Sequence, residues 1–193
     1  MAGQRKVAGV GVYEAGDYVA KVNGKHTTEY RIWHGMLQRC YSPARAQHYR
    51  GCSVHEDFHD YQQFCVWGSS QPGFTKEGWE LDKDIIVAGN RVYSPDACVF
   101  LPYEINSIIQ PSRGGERTLP KGVCWHEHSK SFVARCRTVG GKRQGHLGCF
   151  ETAEQASAAY RSAKEALIRH KAEKFKGELS ERAYLALICY KAL

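Results

Sequence analysis

The chain has 193 residues and a mass of 21.8 kDa, enough for one generous hydrophobic core or two small ones and too little for a large multidomain enzyme. It is 42% hydrophobic and 24% charged with only six prolines, a globular composition, and no window approaches the roughly eighteen uninterrupted apolar residues of a membrane helix. Lys and Arg outnumber Asp and Glu by 27 to 20, and the surplus is uneven: +5 over residues 1–50, −6 over 51–110 and +8 over 111–193. An acidic island between two basic arms favours a polyanionic partner over a small neutral one.

Residues 7–13 and 18–22 alternate around Glu14-Ala15-Gly16-Asp17, which predicts a hairpin. Thr28 is placed to cap a helix in which Trp33, Met36, Leu37, Cys40 and Tyr41 share one face, with Pro43 ending the pattern. A second, shorter helix is predicted from Asp57 or Asp60, burying Tyr61, Phe64 and Cys65, before a loop through Gln71-Pro72-Gly73. Residues 81–101 read as a strand, a Gly89-Asn90 turn and a return segment through Cys98, Val99 and Phe100. The stretch from Gln110 to Pro120 lacks apolar periodicity and carries several breakers, so residues 111–118 are the predicted linker between two modules. Beyond it, Lys121–Trp125, Phe132–Arg137 and Arg143–Phe150 form three strand-like runs, joined by His128-Ser129-Lys130 and Gly140-Gly141. Thr152 and Gln155 make a capping box for a helix with Ala156, Ala159, Tyr160, Ala163 and Leu167 on one face. A terminal helix from about Ser180 is expected to bury Tyr184, Leu187 and Ile188.

Between Lys121 and Phe150 basic residues far outnumber acidic ones, and Arg135 and Arg137 stand two apart, which in a strand projects both from one face. Such a stripe with an interleaved Trp suits phosphate neutralisation and guanine recognition, because a guanidinium bonds two acceptors at once; the plainer reading is a solvated basic strand face. The runs Lys121-Gly-Val-Cys-Trp-His126, Ser131-Phe-Val-Ala-Arg-Cys-Arg137 and His146-Leu-Gly-Cys-Phe-Glu-Thr-Ala-Glu-Gln-Ala156, with Ala159-Tyr160, resemble the Apetala-type, or ethylene-response-factor (ERF), DNA-binding domain. The resemblance implies a three-stranded antiparallel sheet packed on a helix over residues 119–172, with residues 173–193 forming the terminal helix. Its exposed face would meet double-stranded DNA with Lys121, Trp125, Arg135, Arg137, Lys142, Arg143 and His146. Cys124 and His146 stand where plant members carry Arg and Trp, so base preference does not transfer.

The stretches Tyr30–Tyr41, Tyr49–Phe58, Leu81–Ile85 and Asn90–Cys98 resemble phage and bacterial HNH-related homing endonucleases, many of which carry an ERF-like domain behind the nuclease part. The expected fold is therefore α+β, with a degenerate HNH-like, ββα-type module over residues 1–110. The charge distribution fits a nuclease, since basic flanks can neutralise phosphates while clustered carboxylates hold a divalent ion; alternatively the acidic residues form a solvated face. By the resemblance, Asp82 falls at the acidic strand position and Asn90 at the loop Asn, whereas Lys83 stands at the catalytic His and Ala97 at a helix ligand. A protonated lysine is a poor base unless desolvated. Either His55, His59, Asp82, Lys83 and Asn90 carry hydrolysis with Mg²⁺ or Mn²⁺ on Asp82, Asp84 and Asp96, or the module is inactive.

Cys52 and His55 have C-x-x-H spacing, and with Cys40 and Cys98 they could complete a zinc tetrahedron; four separate buried thiols are the plainer alternative. Cys124, Cys136 and Cys149, one per predicted strand, read as packing residues. The amino-terminal residues lack an apolar signal core, which predicts a cytoplasmic protein, in the host cytoplasm if phage-encoded, with reduced thiols. The reading is a DNA endonuclease of homing type, monomer or homodimer, with no small-molecule substrate. Its rivals are a non-catalytic DNA-binding regulator and an inhibitor that binds a protein through the acidic island.

Overall fold

A computed structural model of the protein describes residues 6–44, 49, 51–110, 118–139 and 145–192. The chain is α+β: among the described residues, five α-helices accompany three two-stranded sheets and one three-stranded antiparallel sheet. It divides into two compact units, one of residues 1–106 with 178–183 and the other of residues 107–177 with 184–193. No helix among the described residues is long and apolar enough to cross a membrane. Residues 111–117 of the expected linker lie outside the described residues.

The first unit opens differently from expectation. Its hairpin joins β1 (Lys21–Val22) to β2 (Lys25–His26) through Asn23 and Gly24, both at positive φ, the geometry that suits a two-residue turn to twisted strands. The expected hairpin around Glu14–Asp17 does not form. Instead Val7 closes on Gly11, and Val12 runs parallel to Asp60, taking a bond from its own N–H to the His59 carbonyl at 2.8 Å and accepting one from Tyr61 at 3.0 Å. Gln62 fixes the intervening loop, donating to the carbonyls of Glu14 and Tyr18 and accepting from the Tyr18 N–H.

Helix α1 (Thr28–Tyr41) is capped by Thr27, one residue earlier than predicted, through a Tyr30 N–H to hydroxyl bond of 3.3 Å. Trp33, Met36 and Leu37 of its predicted face are fully buried, while Cys40 and Tyr41 are half-buried. The Trp33 indole N–H donates to the Phe58 carbonyl at 2.8 Å, so the largest core side chain also satisfies its polar atom. A 3-10 turn (Glu56–Phe58) leads into α2 (Tyr61–Ser69), capped by Asp60 and burying Tyr61, Phe64 and Cys65 as expected. Strand β3 (Ser53–Val54) pairs in parallel with β5 (Val92–Tyr93), and β4 (Trp79–Asp82) pairs antiparallel with β6 (Val99–Pro102), which leads into α3 (Tyr103–Ile109). The return segment expected after Asn90 is thus split between two sheets. An aromatic core of Trp33, Phe58, Tyr61, Phe64 and Phe100 joins these elements.

In the second unit β7 (Val123–His126), β8 (Ser131–Cys136) and β9 (Gly145–Phe150) form an antiparallel meander in sequence order. Helix α4 (Ala153–Lys174) packs on it, with the expected capping box in place: Gln155 N–H to Thr152 hydroxyl, and Thr152 N–H to the Gln155 side chain, each 3.2 Å. Ala156, Tyr160 and Leu167 are buried, but Ala159 and Ala163 only partly, and the helix continues past residue 172. In α5 (Glu181–Ile188), Ala183 and Leu187 are the fully buried positions. Tyr184 and Ile188, expected to be buried, are half-exposed; the Tyr184 hydroxyl donates instead to the Glu173 carboxylate at 2.6 Å.

Candidate functional site

The first unit's candidate site is the loop between β4 and β5. β4 ends at Asp82, which is 3% exposed, and its Oδ1 accepts from the backbone N–H groups of Asp84 (3.0 Å) and Ile85 (2.8 Å). Burial, then the neighbouring Asp84 charge, pushes its carboxyl up to about 6. Asn90 holds the other end of the loop: its Nδ2 donates to the carbonyls of Lys83 (2.6 Å) and Val92 (2.7 Å), and its Oδ1 accepts from the Val92 N–H (3.1 Å). Lys83, nearly buried, donates to Asp84 Oδ2 at 3.0 Å and to the Asn90 carbonyl at 3.1 Å. The Tyr93 ring has two cations over it, Lys83 Nζ at 5.7 Å and the Arg39 guanidinium at 5.3 Å, and its hydroxyl accepts from Arg39 Nε at 3.1 Å.

The expected catalytic and metal-binding residues are only partly brought together here. Asp82, Lys83, Asp84 and Asn90 share the loop, but each is occupied in holding it. His55 caps the 3-10 turn through its Nδ1, 3.3 Å from the Asp57 N–H and 3.2 Å from the Asp57 carboxylate. His59 ends that turn, with its ring edge-on to Tyr41 and its Nε2 buried without a hydrogen-bond partner. Asp96 is exposed in the turn before β6. Cys40 and Cys52 are neighbours; burial, then Cys52, pushes the Cys40 thiol up to about 11, and burial pushes Cys98 to about 12. Among the described residues, no three His, Cys, Asp or Glu side chains gather closely enough to hold a metal ion. Asp82 Oδ1 meets backbone N–H groups, and Asp84 Oδ2 meets the Lys83 ammonium.

In the second unit the sheet's register sorts the expected DNA-binding residues. Trp125 lies opposite Phe132 and Phe132 opposite Phe150, and directly paired residues share a face. Ala134 and Cys136 follow on that face by alternation, and both are buried, Cys136 close enough to Lys164 of α4 for its thiol to feel the charge. Arg135 points the other way and is exposed. The pairing of β8 with β9 slips between Ala134 and Arg135, leaving Leu147 supernumerary, so His146 pairs with Arg135. Gly148, at φ +142°, supplies the conformation the slip needs. Exposed Cys149 lies on the same face, its Sγ 3.7 Å from His146 Nε2.

The expected interleaving of Trp125 with the arginines therefore does not form. Trp125 stacks edge-on against Phe132 at 4.9 Å and donates its indole N–H to Glu127 at 2.6 Å. Arg137 follows the end of β8 and is half-buried, so it does not alternate with Arg135 within the strand. Lys121 is half-buried ahead of β7, and Lys142 and Arg143 lie outside the described residues. Of the three cysteines expected to pack, only Cys136 does; Cys124 and Cys149 are exposed.

Arg39, Tyr93 and Lys164 are residues that sequence reasoning passes over. Lys164 had a signal: it falls at i+4 from Tyr160 within the apolar stripe of α4, a position where a charge is out of pattern. Arg39 and Tyr93 lie far apart in sequence and carry none. No protein-family model, curated protein or solved structure matches the chain.

Proposed function

We propose that the protein binds double-stranded DNA through the outward face of its three-stranded sheet. The observation that carries this reading is the slip at Leu147, which sets His146 beside exposed Arg135 on the face turned away from α4. Arg137, directly after β8, adds to the charge of this region. A strand face of this kind can reach the major groove, with Arg135 offered to phosphate or to the two acceptors of guanine. Fluorescence anisotropy with labelled duplexes at several salt concentrations tests it. Binding is expected to weaken with salt, and Arg135→Ala with His146→Ala to lower affinity at least several-fold; unchanged binding by that double variant would overturn the reading.

Hydrolysis is a second reading, favoured by the order β4, loop, β6, α3. This matches the strand–loop–strand–helix order of an HNH-like unit, with Asp82 at the end of the first strand and Asn90 in the loop. Against it, Asp82 Oδ1 and Asn90 are bonded to the loop's own backbone and Asp84 to the Lys83 ammonium, so DNA binding without cleavage is the better-supported function. Supercoiled DNA incubated with Mg²⁺ or Mn²⁺ decides between them. Nicking that disappears in an Asp82→Ala, Asp84→Ala variant would restore the endonuclease reading, and retarded but intact DNA would exclude it.

A further inference from the structure

Lys164 is 7% exposed, an unusual place for an ammonium group. It projects from α4 with its Nζ 5.9 Å from the centre of the Tyr160 ring, one turn earlier on the same helix. The charged group acting on it is a second ammonium, that of Lys121 ahead of β7, whose chain neighbour Gly122 lies against the same Tyr160 ring. The other titratable group facing it is the buried Cys136 thiol on β8. Two cations converge at one partly buried point, against an aromatic ring. Such an arrangement is disfavoured when empty and becomes favourable once a negative charge is shared between the two cations.

We propose that Lys121 and Lys164 form an oxyanion site that takes one phosphate-type group, with Tyr160 as its floor. The chemistry is that of a doubly coordinated phosphate oxygen, supplied either by the backbone of a bound nucleic acid or by a free inorganic anion. The site does not depend on the Arg135 face, and it stands or falls separately from the duplex-binding reading. Burial, then the Lys121 charge, draws the free Lys164 ammonium down to about 8. Anion binding opposes that shift, so the complex takes up protons between about pH 7.5 and 9 and weakens as pH rises through that range.

The test uses the full chain and its Lys164→Met variant, which keeps the side chain's length and removes its charge. Titration calorimetry with a duplex of about 25 base pairs, in two buffers of different ionisation enthalpy at pH 8, reads proton uptake directly. In parallel, the thermal midpoint is followed against millimolar sulfate and phosphate. If the anion comes from DNA, wild type takes up protons on binding. Lys164→Met then loses that uptake, about one unit of the log–log salt slope and roughly fivefold in affinity near 0.15 M salt. If the anion is free, the duplex does not report on Lys164, but sulfate or phosphate raises the wild-type midpoint and not the variant's. Wild type and variant alike toward both ligands would overturn the site. Should Lys164→Met fail to fold, Lys121→Ala is read in the same way, with the same losses expected and unchanged behaviour overturning the proposal.

Discussion

Replacing Asp82 with Asn separates the charge of this side chain from its hydrogen bonding. Asp82 is almost completely buried, and its carboxyl titrates near 6 in the folded protein against an ordinary value of 3.8. A folded pKa above the unfolded one means that the native state binds the proton more tightly. The protonated form's advantage is therefore complete below about pH 3.8 and is lost as pH rises through about 6. A shift of about two units corresponds to about 3 kcal/mol at neutral pH. Asparagine keeps an oxygen for the Asp84 and Ile85 N–H groups but is a weaker acceptor than a carboxylate, which returns about 1–2 kcal/mol of that gain. Asp82→Asn is thus expected to be more stable than wild type by roughly 1–2 kcal/mol at pH 7, an advantage that shrinks toward pH 4. Urea unfolding of both proteins at half-unit pH steps measures the difference, in which the titrating groups other than Asp82 and its coupled neighbour Asp84 cancel. A variant less stable than wild type at pH 7, or a difference that grows as pH falls, would refute this account of the loop.

Other substitutions probe the remaining geometry. Gly122→Ala places a methyl 2.0 Å from the buried Tyr160 ring at a residue with φ +77°, and is expected to destabilise the protein by about 2–5 kcal/mol in urea unfolding. Asn90→Ala removes three hydrogen bonds that close the β4–β5 loop and is expected to cost about 2–4 kcal/mol while leaving duplex affinity unchanged; a tenfold loss of affinity would show that Asn90 touches the ligand. Arg135→Ala alone should reduce the salt slope of duplex binding by about one. Trp125→Ala, by contrast, should leave both slope and affinity within about twofold, because register puts the indole on the opposite face from Arg135.

The elements with strong periodicity were legible in the sequence. Trp33, Met36 and Leu37 mark the buried face of α1, and Thr152 with Gln155 marks the start of α4, because spacing of 3.6 residues and cap chemistry are local properties. The Asn23-Gly24 turn was equally local, but the longer alternating runs on either side of Gly16 competed with it. Those runs are instead recruited by Asp60 and Gln62, which no local pattern announces. The parallel pairing of β3 with β5 joins two-residue strands too short to show alternation. At the sites, residue types were readable and their company was not. Asp82, Lys83 and Asn90 do share one loop, but their partners there are one another, Asp84 and the backbone. The separation of Trp125 from Arg135 depends on which residues face each other across strands.

Because Leu147 is supernumerary, counting β9 by simple alternation from Phe150 and Gly148 assigns His146 to the wrong side of the sheet. Removing that one residue would make the Ala134–Gly148 and Arg135–His146 pairs consecutive, closing the slip while leaving the imidazole of His146 opposite Arg135. Two relatives of this chain could therefore differ by one residue along β9 and still present the same surface to a ligand. A single-residue gap at this point would mark the loss of a bend in the strand, with the binding face kept.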